Sequence, residues 1–320
     1  MTLGAVALAS RSHAQTSAGI AVRSINHMTL RVSDPARSLE WYQGLFGLPI
    51  AARQGSTLVL QLGEGPQFIA LGRSGGDAPS IHHLCLTVDN FDADHLVDVL
   101  GKHGITRSPA PGPMHVRVRM RGEDFGGAPE GTPELYFEDP DGIMIQLQDA
   151  SYCGGGGVRG DRCLITPESA PTGGLLTVRD YNHFSIFVSD AARSLAFYDA
   201  VFGLPRTDRG VVSSLRLGSG QFLGIAAVGQ SPTIHHACLN VDDFDPDRIL
   251  SVLEDYGLTP RDDTQTPVGP LTYYVITRRE DNGGAPGGTP EVYFTDPDGI
   301  LIQLQDARYC GGAGYFGEVC

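Results

Sequence analysis

Along residues 27–32 polar and apolar side chains alternate with the period of a half-buried strand, and then the pattern switches. Leu39, Tyr42, Leu45 and Phe46 recur at helical spacing. Ser33-Asp34-Pro35 supplies a cap and a first-turn proline, and Gly47 stops the helix. Two short β runs follow, "STLVLQL" and "QFIALG", linked by a tight turn at Gly63-Glu64-Gly65. The plan then begins again: a strand over 83–88, a helix over 92–103, a strand over 114–121 and a hairpin turning on Asp139 to Gly142.

Self-comparison shows that this whole pattern occurs twice. "NHMTLRVSDPARSLEWYQGLFGLP" from Asn26 returns as "NHFSIFVSDAARSLAFYDAVFGLP" from Asn182, and "DPDGIMIQLQDASYCGG" from Asp139 returns as "DPDGILIQLQDARYCGG" from Asp296. The chain is a tandem duplication, so a single unit must be explained before the whole. The expected organisation is a first domain over 23–165, a Gly/Pro/Thr-rich linker over 166–177 and a second domain over 178–320. Each copy reads as βαβββ twice, an α+β chain of four such modules.

Composition narrows the partners. Of 320 residues, 41% are hydrophobic and 19% charged, the range of a globular chain, and no run of 18 apolar residues occurs. The formal charge of −14 and the lack of a basic run argue against nucleic acid and anionic membrane surfaces. Residues 1–22 read as the back half of an export signal, apolar over Leu3 to Ala9 and cut after Ala14, or else as a disordered tail.

The cysteines bear on the same question. Cys85 and Cys238 sit in strand-like apolar runs, where a free thiol serves as a small hydrophobe. Cys153 with Cys163, and Cys310 with Cys320, close two Gly-rich nine-residue loops, which suggests one local disulfide per copy and an oxidising, periplasmic or extracellular compartment. A zinc site would need CxxC spacing or nearby histidines, and these cysteines have neither.

The pattern H-x-x-L-x-V-x-D-P-x-x-S-L-x-(W/F)-Y, followed by Y-F-x-D-P-D-G-x-x-I, resembles the vicinal oxygen chelate superfamily of glyoxalases, bleomycin-resistance binders and extradiol dioxygenases. The resemblance covers Asn26 to Asp149 and Asn182 to Asp306. It implies two half-barrels of paired modules, each holding a divalent metal at its inward strand ends. Carried over by position, the ligands are His27, His83 and Gln146 in the first copy, and His183, His236 and Gln303 in the second. Two imidazoles and one oxygen would take one face of the ion and leave the other open. Fe, Mn, Zn and Cu all suit such a set.

The glutamines are a departure, since the family usually places an ionised glutamate there; a neutral amide is a weaker donor and leaves the metal charge uncompensated. His82 and His235, one residue before a ligand, are expected to face the other way. Pairing across the hairpin is expected to set Leu135 opposite Gln146, turning Glu134 and Glu291 away from the metal face.

The local likeness is greatest to extradiol dioxygenases. Tyr136 and Tyr293 stand where those enzymes place a tyrosine beside the substrate oxygens, and are read as catalytic hydrogen-bond donors. The acid–base histidine of those enzymes, in H-x-(L/I)-A-L, is replaced by Gln67 and Gln221, which can orient a substrate but not shuttle a proton. Alternation over "MHVRVRMR" turns His115, Arg117, Arg119 and Arg121 to one face, a cationic wall suited to an anionic substrate.

There is no P-loop, dinucleotide fingerprint or G-x-S-x-G elbow. The expected function is therefore a metal-dependent reaction on a small molecule with adjacent oxygens, dioxygenase-like oxidation being favoured over a glyoxalase-type isomerase or lyase. The alternative is a metal-free binder that sequesters its ligand. A homodimer stays open.

Overall fold

The computed structural model describes residues 19–261 and 269–320. The export-signal reading concerns Leu3 to Ala14 and lies outside the described residues. Among the described residues no helix is long and apolar enough to cross a membrane.

The first repeat runs β1 (Val22–Val32), α1 (Pro35–Phe46), β2 (Ile50–Gln54), β3 (Thr57–Gln61) and β4 (Phe68–Arg73). It continues with β5 (Ser80–Val88), α2 (Ala93–Lys102), β6 (Thr106–Arg107), β7 (His115–Arg121), β8 (Thr132–Glu138) and β9 (Met144–Asp149). The second repeat opens with β10 (Val178–Phe187), α3 (Ala191–Phe202), β11 (Arg206–Arg209), β12 (Val212–Arg216) and β13 (Phe222–Ala226). It closes with β14 (Thr233–Val241), α4 (Pro246–Asp255), β15 (Thr259–Pro260), β16 (Thr272–Arg278), β17 (Thr289–Thr295) and β18 (Leu301–Asp306).

Local chemistry sets the helix ends. The Asp34 carboxylate accepts the Ala36 N–H at 3.0 Å, Pro35 occupies the first turn, and Gly47 takes the left-handed conformation at φ 68° that closes α1. Each repeat then forms one nine-stranded mixed sheet, of order β2-β3-β4-β1-β5-β9-β8-β7-β6 in the first and β11-β12-β13-β10-β14-β18-β17-β16-β15 in the second. Its two modules join edge to edge where β1 pairs antiparallel with β5, and β10 with β14. The fold is α+β, built from paired βαβββ modules as expected.

The two repeats share one apolar core. Trp41 and Phe46 of α1 pack on Phe294 of β17, and Phe197 and Phe202 of α3 pack on Phe137 of β8, so the first helix of each repeat also covers the other repeat's sheet. The repeated hairpin seals this exchange. Asp298 accepts from the Ser33 hydroxyl at 2.6 Å and from Arg37 at the start of α1, while Asp141 accepts from Ser189 and Arg193 at the start of α3. Both carboxylates therefore meet a helix N-terminus as well as an arginine.

Gln67 and Gln221 complete the junction. The Gln67 amide donates to the Ile25 carbonyl of β1 at 2.7 Å and accepts from the Tyr181 N–H of β10, and Gln221 does the reverse between the same two residues. The expected substrate-facing role does not match this position. Phe68 points into the first cavity, so its neighbour Gln67 points out of it.

Candidate functional site

Two bulges build the first cavity. In the β1–β5 ladder Ile25 pairs with Leu86 and His27 with Cys85, so Asn26 is an extra residue; Thr29 pairs with His83 and Leu30 with Ile81, so His82 is another. A bulge breaks strict alternation and lets consecutive side chains share one face. Asn26 and His27 therefore meet, with Nδ1 of His27 2.7 Å from Oδ1 of Asn26, and His82 Nδ1 lies 2.8 Å from Nδ1 of His83. The expectation that His82 faces away is corrected by this irregularity, and the second repeat carries the same two bulges at Asn182 and His235.

The Asn26 contact settles the proton on His27. Its amide nitrogen donates to the Tyr152 carbonyl at 2.8 Å, which turns its oxygen toward the imidazole. Nδ1 of His27 must then be the donor, leaving Nε2 with a lone pair. That lone pair faces His83 Nε2 at 3.3 Å. Asn182, bonded to the Tyr309 carbonyl, sets His183 in the same state, with His236 Nε2 again 3.3 Å away.

Burial keeps these rings neutral. It lowers the pKa of His27 to about 3, only partly opposed by the Gln146 amide. His183 behaves alike at about 3, and His83 and His236 lie well below the usual histidine range, through burial first and then their histidine neighbours. Phe68 stacks on His27 at 4.2 Å, with Tyr152 5.8 Å away on the ring.

Gln146 and Gln303 lie beside both imidazoles of their own cavity. Their amides are buried yet incompletely bonded: Nε2 of Gln146, and both Nε2 and Oε1 of Gln303, lack a partner of good hydrogen-bond geometry. Among the described residues no three His, Cys, Asp or Glu side chains gather into a metal cage. Two neutral imidazole nitrogens and an amide oxygen nevertheless suit a borderline divalent ion, with each first histidine oriented through its other nitrogen as metal-bound histidines usually are.

The hairpin register differs by one residue from the expected pairing. Tyr136, not Leu135, lies opposite Gln146, and Tyr293 opposite Gln303, so Glu134 and Glu291 share the site face. Glu134 accepts from Arg121 at 2.6 Å, Tyr152 at 2.9 Å and Tyr136 at 3.1 Å; Glu291 accepts from Arg278, Tyr309 and Tyr293 at 2.8, 2.7 and 3.2 Å. Burial and then this carboxylate raise the Tyr136 pKa well above the phenol range. With its proton directed to Glu134, Tyr136 presents an acceptor to the cavity, which corrects the expected donor role.

The arginine strand divides. Arg117 and Arg119 line the first cavity, whereas Arg121 is fully buried on Glu134, and His115 lies outside, its Nδ1 3.1 Å from the Ala110 carbonyl. Loop residues 108–113 fold against His115 at the sheet edge and remove it from the rim. The cavities measure about 440 Å³ in the first repeat and about 540 Å³ in the second, a size that suits a small molecule.

The expected disulfides, Cys153–Cys163 and Cys310–Cys320, are formed, and Cys85 and Cys238 are free and buried. Each disulfide loop follows the tyrosine that braces the site, and Arg121 donates to its Gly155 carbonyl at 2.8 Å. Asn26 and Tyr152, with their second-repeat counterparts, are the site residues that sequence reading passes over, and Glu134 and Glu291 are the ones it turns away. Their signal was available in the doubled "NH", "YCGG" and "GTPE".

The glyoxalase/bleomycin resistance protein/dioxygenase superfamily model matches residues 24–147 and again 180–304. The chain belongs to that superfamily. Among solved structures it is similar to the 2,3-dioxygenase LapB from Pseudomonas sp. KL28, at 16% identity and TM-score 0.60 over 90% of this chain and 93% of that one. It is similar to 2,2',3-trihydroxybiphenyl 1,2-dioxygenase from Sphingomonas wittichii strain RW1, at 17% and 0.57 over 92% and 91%. It is also similar to the Mn(II)-bound glyoxalase from Novosphingobium aromaticivorans, at 16% and 0.59 over 89% and 82%. At these identities the likeness concerns the fold.

Proposed function

We propose that each repeat is a small-molecule site in which His27, His83 and Gln146, or His183, His236 and Gln303, hold a divalent cation, and that the protein is a metal-dependent enzyme acting on a compound with adjacent oxygens. One observation carries this reading. Asn26 and Asn182 lock their histidines in the tautomer that aims a bare Nε2 at a second imidazole and a buried amide. A divalent ion there, Fe or Mn by analogy with the family and Zn or Cu by donor type, would supply Lewis acidity toward two ligand oxygens.

The chain's own groups do the rest. Tyr136 accepts a hydrogen bond from a ligand hydroxyl because its proton is held by Glu134. An oxidation of the dioxygenase kind is favoured over isomerase or lyase chemistry by the resemblance of Tyr136 and Tyr293, and of the segment "QLQDASYCGG" after the last ligand, to extradiol dioxygenases. The two disulfides support an oxidising compartment and, with it, export.

A second reading has its own support: with neutral glutamines, the site suits a binder that sequesters its ligand without a metal. Oxygen uptake with 4-methylcatechol, after loading with Fe(II) or Mn(II), separates the two. Uptake lost in the His27→Ala/His183→Ala double variant supports the enzyme. Catechol binding without uptake under every loading overturns the dioxygenase reading in favour of the binder.

A further inference from the structure

The floors of the two cavities are nearly superimposable in chemistry, but their walls are not. Arg31, Arg73, Arg117 and Arg119 line the first, and among the described residues no Asp or Glu lines it, in a chain whose formal charge is −14. At the corresponding places of the second repeat stand Phe187, Ala227, Tyr274 and Ile276. The same sheet positions, at the ends of β1 and β4 and midway along β7, thus carry four cations in one copy and none in the other.

The contacts bear out the contrast. Arg31 donates to the Arg73 carbonyl at 3.1 Å, which places the two side by side at the rim, and neither forms an ion pair with a described carboxylate. Arg117 lies over the Tyr136 ring at 5.4 Å while pairing with Glu138, and Arg119 lies over Phe125 with Glu134 no closer than 3.9 Å.

In the second repeat the place over the tyrosine is taken by a ring: Tyr274, itself covered by Arg261 at 4.8 Å, stacks on Tyr293 at 5.0 Å, and Phe187 stacks on His235 at 4.1 Å. Val211, Val212 and Ile276 complete an apolar wall. Arginines line this cavity too: Arg278, on the same strand as Ile276, is paired with Glu291, Arg209 donates to the Cys310 carbonyl at 3.2 Å, and Arg279 is a further lining residue.

We infer that the two cavities divide their ligands by charge: the first takes a small molecule bearing a carboxylate or similar oxyanion, and the second an uncharged aromatic one. A low-dielectric cleft lined by one sign of charge concentrates the opposite sign, and planar guanidinium groups match a carboxylate in shape as well as charge. The division rests on the proposed function only in taking these cavities as the ligand sites, and it requires no cation.

Fluorine NMR on the full, EDTA-treated chain tests it, with 4-fluorobenzoate and 4-fluorobenzyl alcohol as probes of one shape and different charge. Arg31→Gln/Arg119→Gln is expected to weaken fluorobenzoate by about five- to tenfold and leave the alcohol unchanged. Phe187→Arg/Ile276→Arg is expected to weaken the alcohol and create a second fluorobenzoate site. Unchanged fluorobenzoate affinity in the first variant, mutual competition of the probes for one site, or no fluorobenzoate binding at millimolar concentration overturns the division. Because the metal has been stripped, failure of the cation site leaves this result standing.

Discussion

Tyr136 donates its hydroxyl proton to Glu134 across 3.1 Å, and that carboxylate also neutralises the fully buried Arg121. Removing the carboxylate leaves an uncompensated guanidinium inside the protein. Glu134→Ala is therefore expected to lower stability by about 3–5 kcal/mol, whereas Tyr136→Phe should cost only about 1 kcal/mol. Urea unfolding of the two variants makes the comparison; equal losses would contradict the bracing role.

Because α1 and α3 each pack on the other repeat's sheet, the repeats are expected to unfold together. Calorimetry should show one transition with matching calorimetric and van't Hoff enthalpies. Asp141→Ala or Asp298→Ala removes a carboxylate that ties one repeat's hairpin to the serine and arginine at the start of the other repeat's helix and should cost about 1–2 kcal/mol. Two resolved transitions in the unaltered chain would contradict the shared core.

Acid should destabilise the metal-free chain early. His27 and His183, held at about 3 by burial, and His83 and His236, also held well below the usual histidine range by burial, bind no proton over most of this range when folded but do so near 6.5 when unfolded. The unfolded state thus binds more protons as pH falls below about 6.5, and stability falls with it. Asp296, raised to about 6 by burial, gains its proton first in the folded state and works the other way between 6 and 3.8. Four buried histidines, joined by His82 held to about 4, outweigh the two carboxylates that burial raises, Asp139 and Asp296, so the melting temperature should drop steadily from pH 7 to pH 4 in EDTA. A flat profile would contradict the buried, neutral imidazoles.

Much of the fold was readable in the chain because its punctuation is strong. Asp34-Pro35 and Gly47 bracket α1 where expected, and the doubled motifs reveal the repeat before any strand is assigned. β2 was missed because Ile50 to Gln54 carries little alternation. The site was readable to the level of His27, His83 and Gln146 but not beyond. Strict alternation misplaces His82 and hides Asn26, since a bulge leaves no simple periodic mark, and a one-residue error in hairpin register turned Glu134 outward. Which sheet an apolar helix face covers is not a local property, so the exchange of α1 and α3 between repeats, and with it the junction role of Gln67, came only from the structure.

The disulfide loops hold Tyr152 and Tyr309 against their carboxylates. Closing a ten-residue separation is worth about 2–3 kcal/mol, so Cys153→Ser/Cys163→Ser should lower stability by that amount and weaken ligand binding in the first cavity more than in the second. Equal weakening of both would contradict a local effect.

Metal content is the most direct test of the central claim. Tag-free protein incubated with Mn(II), Fe(II), Zn(II) and Cu(II) in turn, dialysed and analysed by plasma emission, should retain about two equivalents of at least one ion, falling to about one in His27→Ala and in His183→Ala. Retention below about a tenth of an equivalent for every ion would contradict it.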